Sequence, residues 1–205
     1  MSSLRVAEPA SMPTLHTQRY LGSDLAIPSG QPAKRGGLMI ADRWGVTDAE
    51  VARRYPCDDV VADPAGEFWR GVTVDADPQR VWPWVTQIRV APYSYDWLDN
   101  LGRRSPRHRL DLPAPAVGEN FTCAGGRRLG VILSVEPERQ LTGRIAGAVM
   151  SYVLEPDAGG TRLVLKISVP ASRFSGPLLP LLSLGDLVMA RRQLLNFKRL
   201  SEGCT

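Results

Sequence analysis

From about residue 117 onward the chain is a row of short β-rich runs separated by turn residues: "ENFTC", "RLGVILSVEP", "QLTGRI", "AVMSYVLEP" and "TRLVLKISVP". Runs of this kind, with only turn signals between them, predict an antiparallel meander. The turn "EPDAGGT" between the last two is a hairpin signal, because Gly159 and Gly160 take positive φ at little cost. After Gly176 and Pro177 the pattern becomes apolar-periodic as far as about Glu202. Leu187, Ala190, Leu194 and Phe197 recur there at helical spacing, so one face of a long terminal helix is expected to be buried.

Upstream, "EFWRGVTVDA" reads as a strand that runs into "DPQRVWPWVTQI", where Asp77 is placed to cap a helix with Pro78 in its first turn. Pro83 removes a backbone bond and clashes with the turn before it, which predicts a short helix. A second short helix is expected over about Ser94 to Leu101, ending at Gly102. Further back, Thr47 followed by Glu50 fits a capping box and predicts a lead-in helix over about 48–54 that stops before Pro56, with Trp44 anchoring it. Residues 1–38, rich in Ser, Pro, Gly and Ala without a sustained period, read as a flexible arm ahead of one domain over 39–205.

At 205 residues the chain suits one principal domain, and its 43% hydrophobic and 22% charged content is that of a globular protein. The longest apolar candidate for a membrane span, "PLLPLLSLGDLVMA", is broken by Pro180, Gly185 and Asp186. The N-terminus lacks the pattern of a secretory signal, so a cytoplasmic location is expected. Cys57, Cys123 and Cys204 are odd in number and far apart, which argues against a disulfide framework or a zinc site. With His16 and His108 the only histidines, a histidine-centred metal site or Ser/His/Asp triad has little to build on, and no metal or cofactor is expected. "GGRRLG" lacks the Lys-Ser/Thr of a phosphate loop. The formal charge of +4 is concentrated in "RRSPRHR" (103–109). No aromatic residue interleaves that run, so a solvated loop is favoured over a nucleic-acid or lipid contact.

The order of strand, two short helices, antiparallel strands and long C-terminal helix is distinctive. In "WGVTDAEVARRYP", "RGVTVDADPQRVWPWV", "YSYDWLDN", "TRLVLK" and "MARRQLLNFKRLSE" the chain resembles the START-like superfamily, also called SRPBCC or polyketide cyclase/dehydrase, over about residues 40–202. It looks closest to an actinobacterial-type group within it. It departs from that group in "IRVAPYSYDW", which is shorter before Tyr93, and in carrying Met150 where a Trp is expected. The resemblance implies an α+β helix-grip fold, a curved antiparallel sheet wrapped around the C-terminal helix, with a cavity between them for an apolar ligand.

Strand alternation puts Arg70 in phase with Val72 and Val74, facing inward. A guanidinium there needs a partner, and Asp96 or Asp99 are the nearest carboxylates in this architecture. Arg70 is then either an anion or carbonyl anchor, a buried structural pair, or a strand-end residue reaching solvent. Tyr93 and Tyr95 are candidates for the cavity mouth or for packing, whereas Trp97 fits core packing better than ligand contact. Trp82, in step with Val85, suits the core; Trp84 covers either the pocket or the surface. Met150, Tyr152 and Leu154 share one strand face and Leu163, Leu165 and Ile167 another, either being suited to an inner wall. Ala190, small among large neighbours and in line with Leu194, leaves room for a ligand. Asp96 and Tyr95 are the first candidates for proton transfer, although no assembled catalytic constellation is visible. The leading expectation is a binding module for a small hydrophobic, lipid- or polyketide-like molecule, with no nucleic-acid partner and no stable membrane insertion. The alternatives are a cyclase or dehydratase using the same pocket, and a partner-binding domain with a filled core.

Overall fold

The computed structural model describes residues 42–171 and 178–203; the arm expected over 1–38, and Cys204, lie outside the described residues. The elements run Arg43–Trp44 (β1), Asp48–Ala52 (α1), Pro64–Val74 (β2), Pro78–Thr86 (α2), Thr122–Ala124 (β3), Arg127–Leu129 (β4), Val131–Glu136 (β5), Gln140–Ile145 (β6), Ala148–Asp157 (β7), Gly160–Pro170 (β8) and Leu178–Ser201 (α3). Strands β5 to β8 pair antiparallel in chain order, as the meander predicts, and β2 closes onto the far edge of β8. The short β1 adds in parallel outside β2, giving the order β1-β2-β8-β7-β6-β5, while β3 and β4 form a separate hairpin. The architecture is the α+β helix grip expected from the sequence, with α3 against the inner face of a curved, largely antiparallel sheet.

Local chemistry sets the boundaries. The run "RLGVILSVEP" is two strands rather than one, because Gly130 sits at φ 70 and turns the chain between them. At the β7–β8 hairpin Gly159 has φ 90 as expected, but Gly160 is not at positive φ; a Cβ there would strike the Val74 carbonyl oxygen. Helix α1 carries the full Thr47–Glu50 capping box. Helix α2 starts at Pro78, yet the Asp77 side chain makes no cap hydrogen bond; its carbonyl instead accepts from Arg80 and Val81. Beyond Pro83 the helix tightens into a 3₁₀ turn over Gln87–Arg89.

No helix forms over 94–101. The Ser94 hydroxyl donates to Asp99, the Asp96 carboxylate accepts from Ser105, and Asn100 donates to the Arg103 carbonyl, so short polar side chains compete with a helical ladder. What remains is a run of turns with Leu101 at φ 51 and Gly102 at φ 78. The tryptophans also trade places: Trp84 is buried, while Trp82 is half-buried at the core's edge.

The inner core joins Phe68, Val72, Tyr152, Leu163, Leu165 and Ile167 of the sheet to Ala190, Leu194 and Phe197 of α3. The outer face is covered as well. Tyr55, Cys57 and Val61 from the lead-in pack on Trp69, Val149 and Val164. Among them Lys166 is 4% exposed and bonded to Asp58 at 2.5 Å and Glu67 at 2.8 Å, with its ammonium 5.1 Å from the Trp69 ring centre. Burial alone pulls the lysine pKa down, but the hydrogen bonds to Asp58 and Glu67 outweigh it and leave it raised.

A second clamp joins lead-in to sheet. Arg162 of β8 grips Glu50 through Nε at 2.6 Å and a terminal nitrogen at 3.1 Å, and this pairing holds the Glu50 carboxyl at about 2 instead of 4.5. A depressed carboxylate contributes stability that is present above its unfolded value and lost as pH falls through the folded one. Glu50→Gln is therefore expected to lower the unfolding free energy by about 1–2 kcal/mol at neutral pH. Urea titrations repeated down through the acid range should show the difference shrinking toward zero.

Candidate functional site

A cavity of about 180 Å³ lies where the sheet and α3 do not fill the space between them. Strand β7 contributes Met150 and Tyr152, two apart and so on one face, and β6 ends in it with Ile145. Helix α3 contributes Met189, Ala190 and Gln193; Ile88, Phe121 and Thr122 close the far side. The remaining wall is Pro92, Ser94 and Asp99, from the run of turns that replaced the expected helix. Apolar walls with a few polar groups are the usual form of a small-molecule site.

Most of the polar groups are already satisfied. Tyr152 donates its hydroxyl to the Gln193 side-chain oxygen at 2.6 Å, and Gln193 in turn donates to the Pro92 carbonyl. One helical turn on, Asn196 donates to the Tyr93 carbonyl at 2.8 Å. Thr122 donates to the Ile88 carbonyl. Asp99 is the exception. Its Oδ2 accepts from Ser94, but Oδ1 is buried with no hydrogen-bond partner. Burial pushes the Asp99 carboxyl up, against the opposing effect of the Ser94 hydrogen bond.

The residues singled out in the sequence fall into three groups. Met150, Tyr152 and Ala190 line the cavity. Val72, Leu165 and Leu194 are packed in the core, outside the lining. Tyr93 is buried between Trp84 and Phe197, at φ 58, with its hydroxyl bonded to Gln87. Tyr95 is half-buried with the Arg192 guanidinium 5.9 Å from its ring centre. Trp97, expected to pack, is 73% exposed, because the loop that carries it never folds back as a helix.

Arg70 does face inward and is fully buried, across from Leu165. Its contact with Asp96 does not form. Its guanidinium donates to the Asp42 carbonyl at 2.7 Å and the Trp69 carbonyl at 2.9 Å, while the Asp96 carboxylate accepts from Ser105 N at 3.0 Å and Oγ at 2.6 Å. Asp99, which sequence reasoning placed only as another partner for Arg70, is the acid that reaches the cavity. Its one legible signal was the pair of acids in "YSYDWLDN", and nothing in the spacing said which would turn inward.

A larger concavity, about 630 Å³, opens on the outer surface between the lead-in and β8. It is a solvent-open cleft in which Arg162 is tied to Glu50, while Glu155 pairs with Arg53 beside it. Among the described residues no group of three or more His, Cys, Asp or Glu is placed to hold a metal ion.

No family model matches the chain, and no curated protein matches it. Solved structures do resemble it. Protein MLL2253 from Mesorhizobium loti is 20% identical, with a TM-score of 0.47, over 68% of this chain and 98% of its own. An AHSA1-like protein from Aeromonas hydrophila is 18% identical, with a TM-score of 0.41, over 67% and 93%. DynU16, from the dynemicin biosynthetic locus, is 21% identical, with a TM-score of 0.40, over 67% and 48%. At these values the likenesses bear on neither ligand nor reaction.

Asp99 provides the test of this site. A carboxyl whose folded pKa is raised weakens the fold once ionised, and that cost is absent below the unfolded value. Asp99→Asn is expected to raise stability by on the order of 1 kcal/mol at neutral pH. The gain should vanish as pH falls to about 4, where the free carboxyl protonates; thermal melts at both pH values check it.

Proposed function

We propose that the protein binds a small hydrophobic molecule, lipid- or polyketide-like in character, in the cavity between the curved sheet and α3. The observation that supports this reading is an apolar chamber whose only buried side-chain polar atom without a hydrogen-bond partner, among the described residues, is a carboxyl oxygen of a wall residue. At about 180 Å³ the chamber is slightly larger than the dry cavity of about 150 Å³ that accepts benzene in an engineered protein. It suits one ring, or the end of a longer molecule. The Phe121 and Tyr152 rings, 6.2 Å apart at their centres, and the sulfurs of Met150 and Met189 offer soft surfaces for such a ring.

A cyclase or dehydratase activity is the second reading, favoured by Asp99 specifically. A carboxyl at the wall donates a proton to a carbonyl oxygen in its protonated form and removes one from the neighbouring carbon in its ionised form; together these steps promote enolisation and loss of water. Asp99 is better suited to this than Asp96, whose two oxygens are occupied by Ser105, and Tyr152 replaces Tyr95 as the tyrosine at hand. Asp99→Asn separates the two readings, since a binding protein keeps its ligand and an enzyme loses turnover.

Filling the chamber tests the binding reading. Ala190 is buried on α3 at the cavity wall, and Ala190→Leu adds a branched side chain into the gap. The variant is expected to stay folded, with a stability change within about 1–3 kcal/mol. Its uptake of single-ring aromatics should fall at least tenfold in native mass spectrometry or fluorescent-probe displacement. Uptake equal to that of the unaltered protein would place the ligand elsewhere.

A further inference from the structure

We propose that the loop over 96–102 and the turn of the β3–β4 hairpin form a single tip that docks onto an anionic membrane surface. The loop is closed on itself: Gly102 N donates to the Asp96 carbonyl at 2.8 Å and Leu98 N to the Tyr95 carbonyl at 2.8 Å. Closure pushes its apolar side chains outward, so that Trp97 is 73% exposed, Leu98 52% and Leu101 77%. Three large apolar side chains together on one surface loop is a costly arrangement in water, and it marks a surface that meets something else.

Asn100 joins this loop to the hairpin. The residue is buried, its side-chain oxygen accepts from Gly125 N at 3.0 Å, and its amide donates to the Arg103 carbonyl at 2.7 Å. Leu101 consequently lies against Gly125 and the Arg103 guanidinium against Gly126, the two residues of the hairpin turn. The contact gathers arginines from distant parts of the sequence. The Arg103 guanidinium lies against Gly126, next in sequence to Arg127 and Arg128 of β4, and Arg104, Arg107 and Arg109 continue the segment that carries Arg103. All six are exposed, and none is paired with an acid among the described residues. Asp96 and Asp99 of the loop form no ion pair with these arginines; their carboxylates accept from Ser105 and Ser94 instead.

An indole and two leucines beside unpaired guanidiniums match the membrane interface, where tryptophan is enriched and arginine binds lipid phosphate through a planar fork. A nucleic-acid surface accounts for the arginines and the indole but leaves Leu98 and Leu101 without a role. No helix among the described residues is long and apolar enough to cross a membrane, so the contact is one of surface attachment.

The test is co-sedimentation of the full chain with phosphatidylcholine vesicles containing about one third phosphatidylglycerol, beside pure phosphatidylcholine vesicles and a duplex RNA. The expected result is binding to the anionic vesicles that weakens as salt rises and drops at least tenfold in Trp97→Ser, with a comparable drop in Arg103→Glu/Arg104→Glu. Both changes are at exposed positions, and unaltered circular dichroism and melting confirm that the fold is kept; Leu98→Ser stands in for either variant that fails that check. No binding to anionic vesicles overturns the proposal. So does vesicle binding that Trp97→Ser and Leu98→Ser leave unchanged, or RNA binding tighter than vesicle binding.

Discussion

The antiparallel pairing of β2 with β8 holds the rest of this structure in place. It joins the first long strand to the last over ten matched positions, from Pro64↔Pro170 to Val74↔Thr161, and it puts residues about 100 apart in the chain side by side. Contacts so distant in sequence are formed against a large loop-closure cost, so the fold needs burial on both faces of this pair to offset it. Leu163, Leu165 and Ile167 point inward to the helix, while Val164 and Lys166 point outward beneath the lead-in. A charge at that outer position is tolerable only because Asp58 and Glu67 both reach it. Losing Asp58 would leave the ammonium with one partner beneath the aromatic rings.

This two-sided burial explains what was legible in the sequence and what was not. The strand runs, the β7–β8 turn, the capping box at Thr47 and the terminal helix are each set by residues close together in the chain, and pattern reading recovers them. The stretch over 94–101 is different. Its apolar spacing suits a helix, but Ser94, Asp96 and Asn100 find partners at Asp99, Ser105, Arg103 and Gly125, the last of which lies on the hairpin and is invisible to local periodicity. Trp97 was misjudged for the same reason. For Arg70 the inward direction followed from alternation, yet its partners include the Asp42 backbone carbonyl, and a backbone acceptor leaves no mark in composition.

The two acids of that stretch show how strongly setting decides chemistry. Asp96 and Asp99 stand three residues apart, yet one is saturated by the Ser105 amide and hydroxyl and the other is left with an unpartnered oxygen behind the cavity wall. An unpaired buried carboxyl oxygen weakens a fold. Natural sequences retain such defects where a site needs them, and among the described residues no other buried side-chain oxygen or nitrogen of this wall is left unbonded.

Gln193 and Asn196 give the molecule a mechanical linkage. They lie three apart on α3 and hold the carbonyls of two consecutive residues, Pro92 and Tyr93, the second of which is already in a left-handed conformation that a tyrosine rarely adopts. Sliding the helix along its axis by a single residue, about 1.5 Å, strains both bonds together. Helix and loop therefore travel as one lever, and a displacement of the C-terminal helix in its groove is transmitted directly to the segment that bears Ser94 and Asp99.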